Sequence, residues 1–175
     1  MDLALLCLRL TVGVLLAGHG AQKLFGWFGG HGLQRTAGWL ATMGFRPAGL
    51  WAVLAGLMEF AGGLLFALGL FCPIGSLAIG ASMVTAIAKV HWPKVWATDG
   101  GFELPFKNLM VVLAVAMTGP GAISLDRVLG TALPPVALWP GVTVVVCGCY
   151  YALISSTLAA ASAAAEPATA QSNYH

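Results

Sequence analysis

Arg9, His19, Lys23 and Glu59 are ionisable residues set within or at the ends of long apolar runs, where such groups are costly and mark function. Arginine, histidine and lysine donate to carbonyl or anionic oxygens, and a buried glutamate holds or passes a proton. Glu59 falls mid-way along the second apolar segment, where an ionisable group costs about 2.5–3.5 kcal/mol on insertion scales. Ala55, Gly56 and Gly63 flank it at helical spacing, so that face is thin enough for another helix to press against it. Counted from the membrane side that the two share, Arg9 lies about 9 Å deep and Glu59 about 17 Å, a gap that an arginine side chain covers. Arg9 is therefore the expected partner of Glu59. Arg9, Gly13, Leu16, Gly20 and Lys23 point within about 40° of one direction on a helix, with His19 about 80° round. This stripe is expected to line a buried polar pocket of Arg9, His19, Gly20, Lys23 and Glu59.

The stretch "KVHWPKVWATDGGFELPFKN" repeats the mixture of histidine, glycine, carboxylate and lysine on the same membrane side as His19 and Lys23. It offers His91, Glu103, Lys107 and Asn108 as a second, mouth-like group, with Glu103 and Lys107 spaced to pair along a helix start. The structural alternatives are an Arg9–Glu59 ion pair that only fixes helix register, and interfacial His31 and His91 that snorkel. Haem would need a second intramembrane histidine for His19, and no metal site is expected. Cys7, Cys72, Cys147 and Cys149 lack C-x-x-C spacing and are read as small buried hydrophobes. No residue is marked as catalytic by its pattern.

The elements that must position these groups are membrane helices. Of the 175 residues, 59% are hydrophobic and only 8% charged, against about 25% charged in soluble domains. Mean hydropathy is +0.88. No charge occurs from Phe60 to Ala88 or from Val128 to Ala165. A net charge of +2 with scattered basic residues excludes nucleic-acid binding. Asp2 and Arg9 disfavour a cleaved signal peptide.

Apolar segments fall at 3–25, 48–71, 73–91, 104–119 and 136–160, all expected as helices because lipid offers the backbone no other partner. Pro73 predicts a tight hairpin between the second and third. Between 26 and 47, Leu33, Ala37, Leu40 and Ala41 recur beside Trp39 and predict a short helix lying at the interface. The polar, proline-interrupted end predicts a disordered tail over 161–175. With five spans, Lys23, Arg35, Arg46, Lys89, Lys94 and Lys107 share the side of most of the tryptophans. That side is expected to be cytoplasmic, giving an extracytoplasmic N-terminus and a cytoplasmic C-terminus.

Arg9, "GHGAQKLFGWFGGHG" at 18–32, "MEFAGGLLFALGL" at 58–70, His91, "GGFELPF" and "GPGAISLD" together resemble the DoxX family of small bacterial membrane proteins. The resemblance implies an all-α membrane protein, a four-helix transmembrane bundle over 1–130, located in the cell inner membrane. The hydrophobic helix expected within 131–160 is a fifth, added span. The family pattern singles out Arg9, His19, Gly20, Lys23 and Glu59. Relatives are associated with small subunits of a thiosulfate:quinone oxidoreductase and with a membrane-bound thiol and oxidative-stress complex.

The reading that follows is a redox-associated subunit, linked to a quinone or to thiol and sulfur compounds, acting through the polar pocket with a partner protein that carries the redox centre. It is at most a subunit of a membrane oxidoreductase, with quinone the one cofactor to consider and a homo-oligomer among the arrangements left open. "GPGAISLD" is read as structural. The alternatives are a small-solute transporter, weakened by the lack of an inverted repeat, and a noncatalytic assembly scaffold.

Overall fold

Apolar runs of this length fold as helices because each backbone N–H and C=O must be satisfied within its own segment. In the computed structural model, which describes residues 1–131, 133 and 138–165, they do so. Helix α1 (Asp2–Phe25) ends at Gly26, whose φ of 74° admits the left-handed turn that closes a helix. A one-turn segment at Trp27–Gly29 leads into α2 (Gly32–Thr42), followed by α3 (Ala48–Leu68). After Gly69 comes α4 (Cys72–Ala86), with Pro73 in its first turn, and its last turn widens into a π-helix over Ile87–His91. Helices α5 (Glu103–Thr118), α6 (Leu125–Leu129) and α7 (Leu138–Ala165) complete the described chain.

Antiparallel α1 and α3 form the main seam, and glycine lets them approach backbone to backbone. A Cβ on Gly13 would stand 2.6 Å from the Gly63 oxygen, and one on Gly63 would stand 2.6 Å from the Ala17 nitrogen. Gly20 faces Phe60 and Gly56 in the same way. Val12, Leu16, Phe66, Ile79, Met83, Val112 and Val115 fill the core between α1, α3, α4 and α5. Helix α2 is amphipathic as expected and lies across α1 and α3. It buries Leu40 with Phe45 and Ala52, while Arg35 faces outward.

The all-α membrane bundle is as expected, with differences in detail. Among the described residues, four helices are long and apolar enough to cross a membrane: Asp2–Phe25, Ala48–Leu68, Cys72–His91 and Pro140–Ala159. Helix α5, the fourth expected span, has 16 residues and so runs about 24 Å. It packs against α4 and touches α1. Helix α7 continues to Ala165, five residues into the stretch expected to be disordered, because its end is alanine-rich and alanine is the strongest helix former. The rest of that tail, 166–175, lies outside the described residues. Of the cysteines only Cys72 is buried. Cys7 and Cys147 face outward, and Cys149 is half-buried with its thiol 3.7 Å from the Ala81 carbonyl.

Candidate functional site

Glu59 is buried on α3 at the point where α1 and α4 also converge. Its Oε1 accepts from Lys23 Nζ of α1 at 2.5 Å and from Ser82 Oγ of α4 at 2.7 Å. Its Oε2 is buried with no hydrogen-bond partner. The glutamate side chain is 4% exposed and the lysine 31%, so the pair is sealed on the acid side and open on the basic side.

Arg9 is not the partner of Glu59, contrary to the sequence expectation. The glycine contacts set a register in which Arg9 stands beside Gly69, ten residues and so about 15 Å from Glu59 along α3. Side chains on a helix also lean toward its N-terminus. Arg9 therefore reaches away from Glu59, while Lys23 leans back onto it.

At that far end Arg9 is 1% exposed, lies over Gly69, and donates through Nη2 to the Ile123 carbonyl. Asp126, also 1% exposed, accepts from the backbone of Phe71 at 2.8 Å and Cys72 at 3.0 Å, and from Thr131 Oγ1 at 3.0 Å. The Asp126 N–H donates to the Gly69 carbonyl at 2.9 Å. Arg9 and Asp126 thus fasten the 121–131 segment onto the α3–α4 turn.

Around Glu59 opens a cavity of about 430 Å³. Trp39, Met43 and Phe45, with Trp51 and Met58 of α3, make its apolar walls, and His19, Lys23, Glu59, Ser82, Lys89 and His91 its polar side. The π-helical turn carries His91 to the Gly100 carbonyl, which its Nδ1 reaches at 2.7 Å. Lys89 Nζ donates to Thr157 of α7 at 2.8 Å. His19 Nδ1 lies 3.1 Å from Gln22 Oε1.

The cavity therefore joins His19, Lys23 and Glu59 of the first expected group to His91 and Asn108 of the second. Gly20 serves the seam instead, its backbone pressed on α3. Glu103 and Lys107 are outside the lining and pair with each other at the start of α5, with the Ala97 N–H 3.1 Å from Glu103 Oε2. The Lys107 hydrogen bond, helped by that N–H, holds the Glu103 carboxyl below its usual range. Ser82 and Lys89 were missed from sequence. Ser82, Thr85 and Lys89 recur at i, i+3 and i+7, a polar stripe in an apolar segment that helical periodicity exposes. Among the described residues no three His, Cys, Asp or Glu side chains converge as metal ligands.

Neither the curated proteins nor the solved structures contain a match to this chain. The DoxX family model matches residues 4–92, just over half of its length. That span holds α1, α3 and α4 and both side chains that hydrogen-bond the Glu59 carboxylate, Lys23 and Ser82, and the chain belongs to the DoxX family.

Proposed function

We propose that this integral membrane protein is a redox-associated subunit whose cavity takes the headgroup of a quinone-type molecule and works with a partner protein that carries the redox centre. The observation that carries this reading is the cavity itself: about 430 Å³, walled by tryptophan and methionine, and ending at one buried carboxylate held by Lys23 and Ser82. That volume lies in the range of small-molecule sites, which pair apolar walls with a few convergent polar groups.

The residues fit such a headgroup. Glu59 Oε2 is a buried acceptor in need of a donor, and Lys23 has ammonium protons to spare for a ring oxygen. When bound, a quinone supplies two-electron chemistry coupled to two protons. Lys23 and Ser82 fix Oε1, so the protein's own part is to hold the carboxylate and receive or return a proton at Oε2. Trp39 and Trp51 offer flat faces to the ring and keep water out.

Purification in mild detergent, extraction into organic solvent and identification of co-extracted quinone by chromatography test this directly. Near-equimolar quinone supports it, and a quinone-free protein from quinone-containing membranes refutes it. Cross-linking in the same membranes tests for the redox partner. The location we propose is the bacterial inner membrane. Lys23, Arg35, Arg46, Lys89, Lys94 and Lys107 favour a cytoplasmic cavity mouth, and a reporter fused at residue 175 tests the cytoplasmic C-terminus.

A further inference from the structure

We infer that the cavity selects the reduced, hydroxyl-bearing form of its ring, an aromatic diol, over the oxidised dione. This rests on the quinone-type reading above and follows from which hydrogen-bonding groups the protein leaves unused.

The polar side offers a buried acceptor at Glu59 and two further ones at the half-buried His91 and the exposed His19. Glu59 Oε1 already receives Lys23 and Ser82, whereas Oε2 is buried and receives nothing. The Ser82 hydroxyl proton is given to Oε1, so that oxygen has only acceptor capacity left. A carbonyl cannot donate, so the 2.7 Å contact of His91 with the Gly100 oxygen puts the proton on Nδ1 and leaves Nε2 of the neutral ring as an acceptor. His19 is arranged alike. Gln22 Nε2 donates to the Phe28 carbonyl at 3.3 Å, which turns Oε1 toward His19, and the 3.1 Å contact then requires the proton on Nδ1.

Donors are present as well, and their situation decides the balance. Lys23 already holds Glu59, Lys89 already holds Thr157, and both ammonium groups and the Asn108 amide are partly exposed, so water serves their remaining protons. Leaving them unused by a ligand costs little. Oε2 has no such recourse once a ring fills the cavity and displaces water. A diol hydroxyl satisfies it, whereas a dione sets a carbonyl oxygen against a carboxylate oxygen. An unsatisfied buried acceptor corresponds to about tenfold to a hundredfold in affinity. Each tenfold preference for the diol raises the potential of the bound couple by about 30 mV.

The test uses the full chain in detergent under anaerobic conditions, with menadione and menadiol as probes and quenching of tryptophan fluorescence as the readout. Menadiol binding at least about tenfold tighter than menadione supports the inference. Glu59→Gln, whose amide can turn a donor toward the ring, should erase or invert the preference while menadione still binds. His91→Phe, at the end of a helix, should narrow it and serves if Glu59→Gln fails to fold. Wild-type protein that binds menadione as tightly as menadiol, or more tightly, overturns the selectivity and leaves the quinone-type site standing. Failure to bind either probe overturns both.

Discussion

Lys23 Nζ stands 2.5 Å from Glu59 Oε1, while Arg9, on the same face of α1, reaches the opposite way to the Ile123 carbonyl. One stripe on one helix thus supplies two separate polar centres, a ligand-accessible one around Glu59 and a fastening one around Asp126.

Removing Lys23 leaves a buried carboxylate without its cation, so Lys23→Met should cost about 3 kcal/mol, at the low end of the range for breaking a buried pair. Glu59→Gln leaves a lysine that is 31% exposed and still hydrated, so it should cost only about 1 kcal/mol. The double variant should regain most of the loss. Unfolding in detergent as a double-mutant cycle measures this, and strictly additive costs would show that the two residues are uncoupled.

Gly18 and Gly20 lie two residues apart, on nearly opposite faces of α1. A Cβ on Gly18 meets nothing within 4 Å, whereas one on Gly20 runs into the backbone of Phe60. Gly20→Ala should destabilise by about 1–3 kcal/mol through overpacking of the seam. Gly18→Ala should be neutral or stabilising by up to about 1 kcal/mol. Thermal melts of the two variants in the same detergent decide it.

Asp126→Ala removes the acceptor of two backbone N–H groups and of Thr131, and strips negative charge from the surroundings of buried Arg9. A loss of about 1–3 kcal/mol for each buried N–H left unsatisfied is expected. Amide exchange should rise first at Phe71, Cys72 and across 121–131. Protection there equal to wild type would mean that the 121–131 segment is held by apolar packing.

Glu103 titrates below its unfolded range because Lys107 and the Ala97 N–H favour the carboxylate. Its contribution is therefore present at neutral pH and is lost as pH falls below the ordinary glutamate value of about 4.3, through the lower folded value. Amide exchange across 97–103, corrected for intrinsic rates, should hold steady from about pH 7 to 5 and accelerate under about pH 4. Glu103→Gln should remove that step.

Much of the fold was legible. The apolar runs fixed where helices form, Pro73 marked the hairpin, and the spacing of Leu33, Ala37 and Leu40 gave the interfacial helix. The cost of charge in lipid also drew attention to Lys23, Glu59 and His91 before any contact was known. The pairing was not legible, because counting depth from the helix ends carries errors of a few residues, and the lean of each side chain doubles their effect. Ser82 carries no charge, so cost alone did not flag it.

The sequence by itself determined the membrane helices, the glycine-lined face of α1 and the polar residues that must be hidden. Local physics suffices for these, since hydropathy and helical period act along a single segment. Only the tertiary structure decided that Lys23 and Ser82 hold Glu59, that Arg9 belongs with Gly69 and Ile123, and that His91 and Asn108 share the cavity. Those outcomes depend on the register between helices, which the backbone contacts of Gly13, Gly20 and Gly63 set. A shift of one turn, about 5.4 Å, would change every partner.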